Sequence, residues 1–572
     1  MRDRRDDTGG AGPARRVLAV SPRYARSFGT FDHAFPLLGV AAFMPPQGLL
    51  TVAGFLPPHW PVRFVDENVR PLTDADLEWA EIVLISGMHV QRERTRAIAA
   101  RAAALGRVCV LGGPSVSADP DLYPEVDLLH VGELGDATVE LVARLGADPG
   151  RPARQEIYRT ADRLPLADFP QPRYDLIDPA DYLLASVQFS SGCPFRCEFC
   201  DIPALYGQRP RRKSVPAVLA ELDALLARGN PGSVYFVDDN FIADPRAAVE
   251  LLTGLVQWQR DRGYPVTFAC EATMNLAKRT DILAKMREAA FTTVFMGVES
   301  PDLAGLRLMR KTQNLATPLE VAVATLNRHG LEVVAGIILG LDTDDERSGQ
   351  RVLDFIATTR IPMLTINLLH ALPRTPLWDR LSAAGRIVPA EAGRESNVDF
   401  LRPYDAVVAD WRRTVTTAFR PEALYERFAY QLTHTYPNRL PRPARRPEAR
   451  ELRRGLAILA RTLWHAGVRS GYRRTFWRTA RPLLRRLELE HLVHIAVVAH
   501  HLSTFAAEVA AGRAEKCFYN PRPEDARPAR PATPTAALGG DGAAAPTPAP
   551  VDPEIVLPEK GVAAGNPPTT TP

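Results

Sequence analysis

The chain has 572 residues, 46% of them hydrophobic, and a net charge of +4. This length predicts two or three domains, because a single core rarely grows beyond about 300 residues. The mild charge excludes the strongly basic composition of many nucleic-acid binders. Only six cysteines occur, three of them within eight residues, which excludes a secreted disulfide scaffold and favours a metal site in a reducing compartment.

The N-terminal part of the chain predicts a doubly wound α/β domain. Residues 1–15 are charged and Gly-rich and lack the apolar run of a secretory signal, so we expect them to be disordered in a cytoplasmic protein. Over residues 16–150, apolar runs alternate with helical patterns, as in a parallel sheet covered by helices. The predicted strands are 17–20, 62–65, 82–86, 108–111 and 128–131, and the clearest helix is 92–105.

A second alternating region predicts a partial (β/α)6 barrel. Residues 151–186 are polar and Pro-rich and predict a linker. The barrel occupies residues 187–390, and its chemistry should lie at the C-terminal ends of the strands. The predicted strands are 187–190, 233–237, 266–270, 292–296, 332–338 and 363–368. Before the second strand, Ser214, Pro216 and Gly229 carry the signals of a helix start and end.

The C-terminal part predicts a helical extension, residues 391–519, and a disordered Pro/Ala-rich tail, residues 520–572. Between Asn438 and Arg486 there are 15 Arg and no Lys. Apolar residues interleave with them at helical spacing, which fits either a packed helical subdomain or an amphipathic surface helix. The apolar stretch 492–511 is interrupted by histidines and should not cross a bilayer.

Three cysteines form the most informative motif. Cys193, Cys197 and Cys200 have the spacing C-x3-C-x2-C. An iron–sulfur cluster normally takes four cysteines, so three thiolates would leave one iron of a 4Fe-4S cluster open to a small molecule. A structural zinc site is the alternative, but no fourth ligand follows nearby. Cys109 and Cys270 lie in apolar runs and should be buried.

The motif on a loop after the first barrel strand resembles the radical S-adenosylmethionine (SAM) enzymes. The N-terminal region resembles the cobalamin-binding domain fused to many of them, although the Asp-x-His-x-x-Gly motif that places histidine on cobalt is absent. Several segments resemble the hopanoid C-2 methylases and relatives with the same C-terminal extension. They are SFGTF at 27–31, FMPPQGL at 43–49, VDENVRP at 65–71, GMHVQ at 87–91, GELGD at 132–136, CDIP at 200–203 and ALPRTP at 371–376.

The resemblance implies radical methylation of an unactivated carbon. A reduced 4Fe-4S cluster held by Cys193, Cys197 and Cys200 would cleave SAM to a radical that abstracts hydrogen, and methylcobalamin would deliver the methyl group. Eight residues are implied in SAM binding: Tyr206, Asp238, Asp239, Asn240, Glu271, Glu299, Gly336 and Gly340. Five are implied around cobalamin: Gly112, Gly113, Ser115, Gly132 and Glu133. Simple helix capping by Asp238 or Asp239 and ion pairing by Glu299 remain alternatives.

Hopanoid C-2 methylation is the most specific form of this hypothesis. Another C-methylation or a ring rearrangement in natural-product biosynthesis would use the same cofactors, and a non-catalytic cobalamin or redox sensor is a further alternative. A methylthiotransferase fits less well, because no second three-Cys set precedes Cys193. The implied partners are a hopanoid-like hydrophobic substrate, a flavodoxin or ferredoxin reductant and the inner membrane surface. No nucleic-acid motif is present.

Overall fold

The N-terminal domain is a six-stranded parallel sheet with helices on both faces. The computed structural model describes residues 13–388, 394–443 and 449–513. The strand order is β2-β1-β3-β4-β5-β6, a doubly wound arrangement with its crevice between β1 and β3. The strands are β1 Val17–Ser21, β2 Val62–Asp66, β3 Ile82–Ser86, β4 Val108–Gly112, β5 Leu128–Val131 and β6 Glu156–Arg159. The helices are α1 Phe35–Leu38, α2 Gln47–Phe55, α3 Asp74–Trp79, α4 Arg92–Ala104, α5 Pro114–Ala118 and α6 Asp136–Ala147.

The central domain is an open six-stranded parallel barrel. Its strand order is β14-β13-β12-β11-β10-β7, with β8 and β9 forming a separate antiparallel pair. The strands are β7 Ala185–Val187, β8 Ser190–Ser191, β9 Arg211–Arg212, β10 Ser233–Phe236, β11 Thr267–Glu271, β12 Phe291–Glu299, β13 Glu332–Leu339 and β14 Met363–Leu368. The helices are α7 Ile202–Leu205, α8 Val215–Arg228, α9 Pro245–Asp261, α10 Thr280–Glu288, α11 Leu303–Leu308, α12 Leu319–Arg328, α13 Ser348–Thr359 and α14 Pro376–Ala383.

The C-terminal helices share one hydrophobic core with the barrel. They are α15 Tyr404–Ala418, α16 Pro421–His434, α17 Ala449–Thr462, a π-helical segment Leu463–Arg469, α18 Arg473–Arg485 and α19 Leu489–Ala510. The indole N–H of Trp411 in α15 donates to the carbonyl of Ile366 in β14, at 2.8 Å. Phe28 reaches these helices from the N-terminal segment, with its ring 5.0 Å from that of Phe419 and 4.6 Å from that of Phe505.

Helix α19 is long and apolar enough to span a membrane by length and composition. However, 61% of its most apolar stretch is buried inside the protein, and its carboxyl-terminal half packs on the Phe28 segment. His501 of this helix is fully buried, and its ring Nε2–H donates to the carbonyl of Phe28 at 3.2 Å. This packing is that of a core helix.

Three predicted boundaries are wrong. The predicted linker contains β6, which extends the N-terminal sheet to Arg159. The residues of this edge strand alternate between half-buried and exposed, so its sequence carries little of the apolar pattern by which buried strands are predicted. The first barrel strand ends at Val187, because the Asp238 carboxylate accepts the N–H groups of Phe189 and Ser190. At the other end of the chain, the predicted disordered tail lies outside the described residues, as do residues 1–12.

Other predictions are confirmed. Ser214 caps α8 by accepting the N–H of Ala217, and α8 ends before Gly229. Cys109 and Cys270 are buried at 1% and 0% exposure. The N-terminal boundary is the third that is wrong, because Arg15, which we expected in a disordered terminus, donates to the carbonyl of Gly146 at 2.7 Å.

Candidate active site

The three-cysteine loop follows β8, and main-chain hydrogen bonds hold it in place. The N–H of Cys193 donates to the carbonyl of Gly207 at 3.2 Å, and the N–H of Cys200 donates to that of Cys197. Gly192, which precedes the loop, has φ +93°, and a Cβ there would lie 2.9 Å from the Gly207 carbonyl oxygen. The loop therefore requires glycine at this position.

The thiols are buried or half-buried, and none is joined in a disulfide. Burial raises the pKa of Cys193 and Cys200, so metal would have to displace their protons. The Nε2 group of Gln313 donates to Cys197 Sγ at 3.3 Å. Among the described residues, no set of three His, Cys, Asp or Glu converges on a single metal ion. Three unpaired thiols on one short loop fit the donor set of an iron–sulfur cluster, which binds each thiolate to a different iron.

A buried ion pair lies beside this loop. The Nζ group of Lys311 is 2.6 Å from Glu299 Oε1 and 5.5 Å from the ring centre of Phe199. Burial disfavours the lysine charge, but Glu299 and Cys197 raise its pKa above the ordinary value. The positive charge of Lys311 partly opposes the effect of burial on the pKa of Cys193 and Cys200 and so favours their thiolates.

Two carboxyl groups at the strand ends face a common cavity. Asp239 follows β10 and accepts the N–H of Gly192 at 2.7 Å, which ties the strand end to the cysteine loop. Glu271 ends β11 and accepts the hydroxyl of Tyr235 at 3.3 Å. Burial raises the pKa of Asp239 to about 6 and, helped by Asp239, that of Glu271 to about 7. A cation in the cavity would restore their charged forms.

The cavity has a volume of about 2060 Å³ and is lined by both α/β domains and by the C-terminal helices. Tyr206, Asp239 and Glu271 line it from the barrel, and most of its other walls are apolar. Such a volume exceeds that of ordinary small-molecule pockets, which are about 300–1,000 Å³. It is large enough for a cofactor and a bulky substrate together.

Loops at the C-terminal ends of β3, β4 and β5 supply the opposite wall. Gly112, Gly113, Gly132 and Glu133 all line the cavity. Gly113 has φ +98°, and a Cβ there would lie 2.8 Å from Ser86 Oγ, so only glycine lets these loops approach so closely. Glycine-lined loops at the C-terminal ends of the strands of a doubly wound sheet fit a large nucleotide-tailed cofactor such as cobalamin.

Glu133 joins the two domains. Its carboxylate pairs with Arg211 of β9 and with Arg163, at 3.2 Å for the latter, and accepts the hydroxyl of Ser191 at 3.1 Å. Arg211 and Ser191 belong to the β8–β9 pair that begins the cysteine loop. The cofactor-facing loop of one domain is therefore fastened to the cysteine loop of the other.

Six residues predicted to bind SAM or cobalamin do not line the cavity. Asp238 is buried at 1% exposure and is bonded to Phe189 and Ser190, so it shapes the loop instead of facing the cavity. Ser115 is bonded to the hydroxyl of Tyr123 at 2.6 Å. Four further predicted residues do not line the cavity, although Glu299 lies beside the cysteine loop in its ion pair with Lys311: Asn240, Glu299, Gly336 and Gly340.

The sequence analysis missed four residues of the site: Lys311, Gln313, Arg211 and Ser117. Lys311 and Gln313 come from the polar run Lys-Thr-Gln-Asn after α11, which has no spacing signature of its own. Ser117 lines the cavity and accepts the N–H of Gly132 at 2.9 Å. Only the fold brings these residues to the cysteines and the glycine loops.

Comparison with known proteins agrees with this architecture. A family model described as the radical SAM superfamily matches residues 187–356, and a domain of unknown function matches residues 375–515. The chain is 50% identical to the hopanoid C-2 methylase of Rhodopseudomonas palustris over 515 residues, covering 90% of this chain and 98% of that protein. It is 34% identical to an uncharacterized methyltransferase of Synechocystis, covering 85% and 90%.

Solved structures show the same fold. The cobalamin-dependent SAM radical enzyme OxsB, with aqua-cobalamin bound, superposes with a TM-score of 0.53 at 14% identity, covering 88% of this chain and 82% of that chain. The fold and the three-cysteine loop define a radical SAM enzyme with an N-terminal doubly wound domain and a helical C-terminal extension. Within that class, the chain belongs to the family of radical SAM methyltransferases that includes the hopanoid C-2 methylase.

Proposed function

We propose that this protein is a cobalamin-dependent radical SAM methyltransferase that adds a methyl group to C-2 of a hopanoid. One observation carries the proposal: a single large, mostly apolar cavity joins the glycine loops of one domain to the carboxyl-bearing strand ends of the other, beside the cysteine loop. A rigid hydrocarbon fits such walls. The 50% identity to a hopanoid C-2 methylase over nearly the whole of that protein supports this substrate class.

The cysteines and the carboxyl groups of the site have different roles. Cys193, Cys197 and Cys200 hold a 4Fe-4S cluster, while Asp239 and Glu271 offer negative charge to the positively charged SAM. When bound, the reduced cluster and SAM would supply a radical able to abstract hydrogen from an unactivated carbon, and cobalamin would supply the methyl group. The apolar walls keep water away from the reacting carbon.

The N-terminal loops hold the second cofactor. Gly112, Gly113 and Gly132 would let this cofactor approach the strand ends, and the N–H of Gly132 donates to Ser117 Oγ, which holds the loop in its positive-φ conformation. Glu133 orients this wall towards the barrel through Arg211 and Arg163. SAM and cobalamin would therefore both face the substrate within one cavity.

The proposal includes two partners. A reduced flavodoxin or ferredoxin supplies electrons, because a 4Fe-4S cluster has to be reduced before it can cleave SAM. The enzyme works in the cytoplasm at the inner membrane surface, where a hydrophobic substrate would reside; the arginine-rich stretch between Asn438 and Arg486 supports this location.

Two measurements test the function. Protein reconstituted anaerobically with iron and sulfide, then given SAM and dithionite, should release 5′-deoxyadenosine. The same gene, expressed in a hopanoid-making host that lacks the methylase, should yield hopanoids that are heavier by one methyl group in mass spectra. Cys197→Ala should abolish both products, whereas Cys109→Ala, a buried cysteine of β4, should keep them. Unmethylated hopanoids with active SAM cleavage would disprove the substrate.

A further inference from the structure

Helix α17 forms an exposed rim of the cavity. Leu452, Leu456 and Leu459 recur at helical spacing on one face, and all three line the cavity. Yet Leu452 and Leu456 are also 53% and 56% exposed to solvent. Side chains that face both the cavity and the solvent mark a mouth.

Apolar side chains continue on both sides of this mouth. Inside it, the cavity is lined by Leu37 and Leu38 of α1 and by Val493 and Val497 of α19. Arg461 of α17 donates to the carbonyl of Leu37 at 2.9 Å and so fastens the rim to α1. We define this part of the cavity, between α1, α17 and α19, as the apolar mouth.

Outside the mouth, the exposed surface combines apolar and cationic groups. Trp464 and Val468 of the π-helical segment are 58% and 52% exposed. Between residues 452 and 487 the sequence has ten Arg and no Asp or Glu. Nine of these arginines are exposed: Arg453, Arg454, Arg469, Arg473, Arg474, Arg478, Arg481, Arg485 and Arg486.

We infer that this surface docks on an anionic lipid bilayer and that the apolar mouth takes the substrate directly from it. Cationic and apolar side chains on one helical surface bind such a bilayer through charge attraction and apolar burial together. A hydrocarbon that passes from acyl chains into an apolar mouth never crosses water, so its transfer avoids the cost of hydration. The inference rests on the proposed function, because it supplies the route for that substrate.

Vesicle flotation tests the docking. Full-length protein should float with vesicles of phosphatidylcholine that contain phosphatidylglycerol, and much less with vesicles of phosphatidylcholine alone. Arg453→Glu/Arg454→Glu should weaken this binding by about tenfold or more, and added salt should weaken it further. Leu452→Ser/Leu456→Ser should also weaken vesicle binding, because the variant removes two exposed apolar side chains of the docking surface.

Matched variants serve as controls. Val139→Ser/Val321→Ser changes two side chains of similar exposure, 58% and 53%, on α6 and α12. Arg246→Glu/Arg328→Glu reverses two exposed charges on α9 and α12. Both controls should bind vesicles as the wild type does. Equal binding by the wild type and Arg453→Glu/Arg454→Glu, or equal flotation with both kinds of vesicle, would overturn the inference.

Substrate delivery separates this inference from the function itself. With hopanoid embedded in the anionic vesicles, the methylation rate of Arg453→Glu/Arg454→Glu should fall by about the same factor as its vesicle binding. With hopanoid dissolved in cyclodextrin, it should match the wild type, since these arginines do not line the cavity. Equal loss in both formats overturns the docking route. Absence of methylation by the wild type in both formats contradicts the proposed function, while flotation still decides the docking.

Discussion

Glu271 shows how one buried residue can couple binding to pH. Its closest polar neighbours include the hydroxyl of Tyr235, and the nearby carboxyl of Asp239 disfavours a second negative charge. Burial is the largest cause of its raised pKa, about 7. In the empty cavity the group is therefore largely protonated below that pH, and it must lose the proton before it can pair with a cation.

SAM binding should consequently weaken as the pH falls. We expect little change above about pH 8 and up to about tenfold loss per pH unit below pH 7, because ionisation of Glu271 then has to be driven by the ligand. Equilibrium binding of SAM to the reconstituted protein without reductant measures this. Glu271→Gln should bind more weakly at high pH and lose most of the dependence. A flat profile for the wild type would contradict the assignment.

Gln313 acts on the cysteine loop through one hydrogen bond. Gln313→Leu removes the N–H that points at Cys197 Sγ. Hydrogen bonds to cluster sulfurs stabilise the reduced state, so the midpoint potential should become more negative and activity should fall by about tenfold. A redox titration followed by EPR gives the potential. Gln257→Leu, on the exposed face of α9, is the control, and equal potentials would argue against the contact.

At the level of secondary-structure elements, the first residue of β13 holds the C-terminal helices to the barrel. Glu332 is fully buried and accepts bonds from Tyr436 at 2.9 Å, His494 of α19 at 3.1 Å and Arg439 at 3.3 Å. Burial alone would raise its pKa, but His494 and Arg439 lower it below the ordinary value. Its stabilising effect is thus present above the unfolded pKa of about 4.3 and is lost as the pH falls through the lowered folded value.

Glu332→Gln should lower the free energy of unfolding by about 2 kcal/mol, because half-buried Arg439 and His494 lose the carboxylate that accepts their hydrogen bonds. Urea unfolding at neutral pH measures the change. The matched variant Glu320→Gln, on the exposed face of α12, should leave the unfolding midpoint unchanged. A similar midpoint for both variants would mean that the helices are held by apolar packing alone.

At the scale of the whole molecule, Glu133 aligns the two domains that face the cavity. Glu133→Ala leaves Arg163 and Arg211 side by side without their shared carboxylate. Since these arginines are partly exposed, the cost in stability should be small, and the main effect should be a looser contact between domains. Hydrogen exchange should accelerate in residues 205–212, which contain β9. Glu140→Ala, an exposed position of α6, should show no such change.

The predicted strands and helices are confirmed where the local sequence carries a clear apolar pattern. The runs Ile-Val-Leu-Ile in β3 and Val-Cys-Val-Leu in β4 are apolar on both faces, as buried parallel strands must be. By contrast, β6 at the sheet edge has one exposed face and was mistaken for linker. Asp238 looked like a ligand at a strand end, yet the loop of β8 needs its carboxylate for two main-chain N–H groups.

The sequence by itself determined the class of chemistry, because three thiolates at fixed spacing on one loop form a local motif that needs no distant partner. It also determined both α/β domains, since apolar periodicity is local. Only the tertiary structure decided which polar residues lie beside the cysteine loop, because Lys311, Gln313 and Arg211 reach it through contacts between distant segments. The same holds for the mouth beneath α17: the sequence shows an amphipathic helix, but its neighbours α1 and α19 come from opposite ends of the chain.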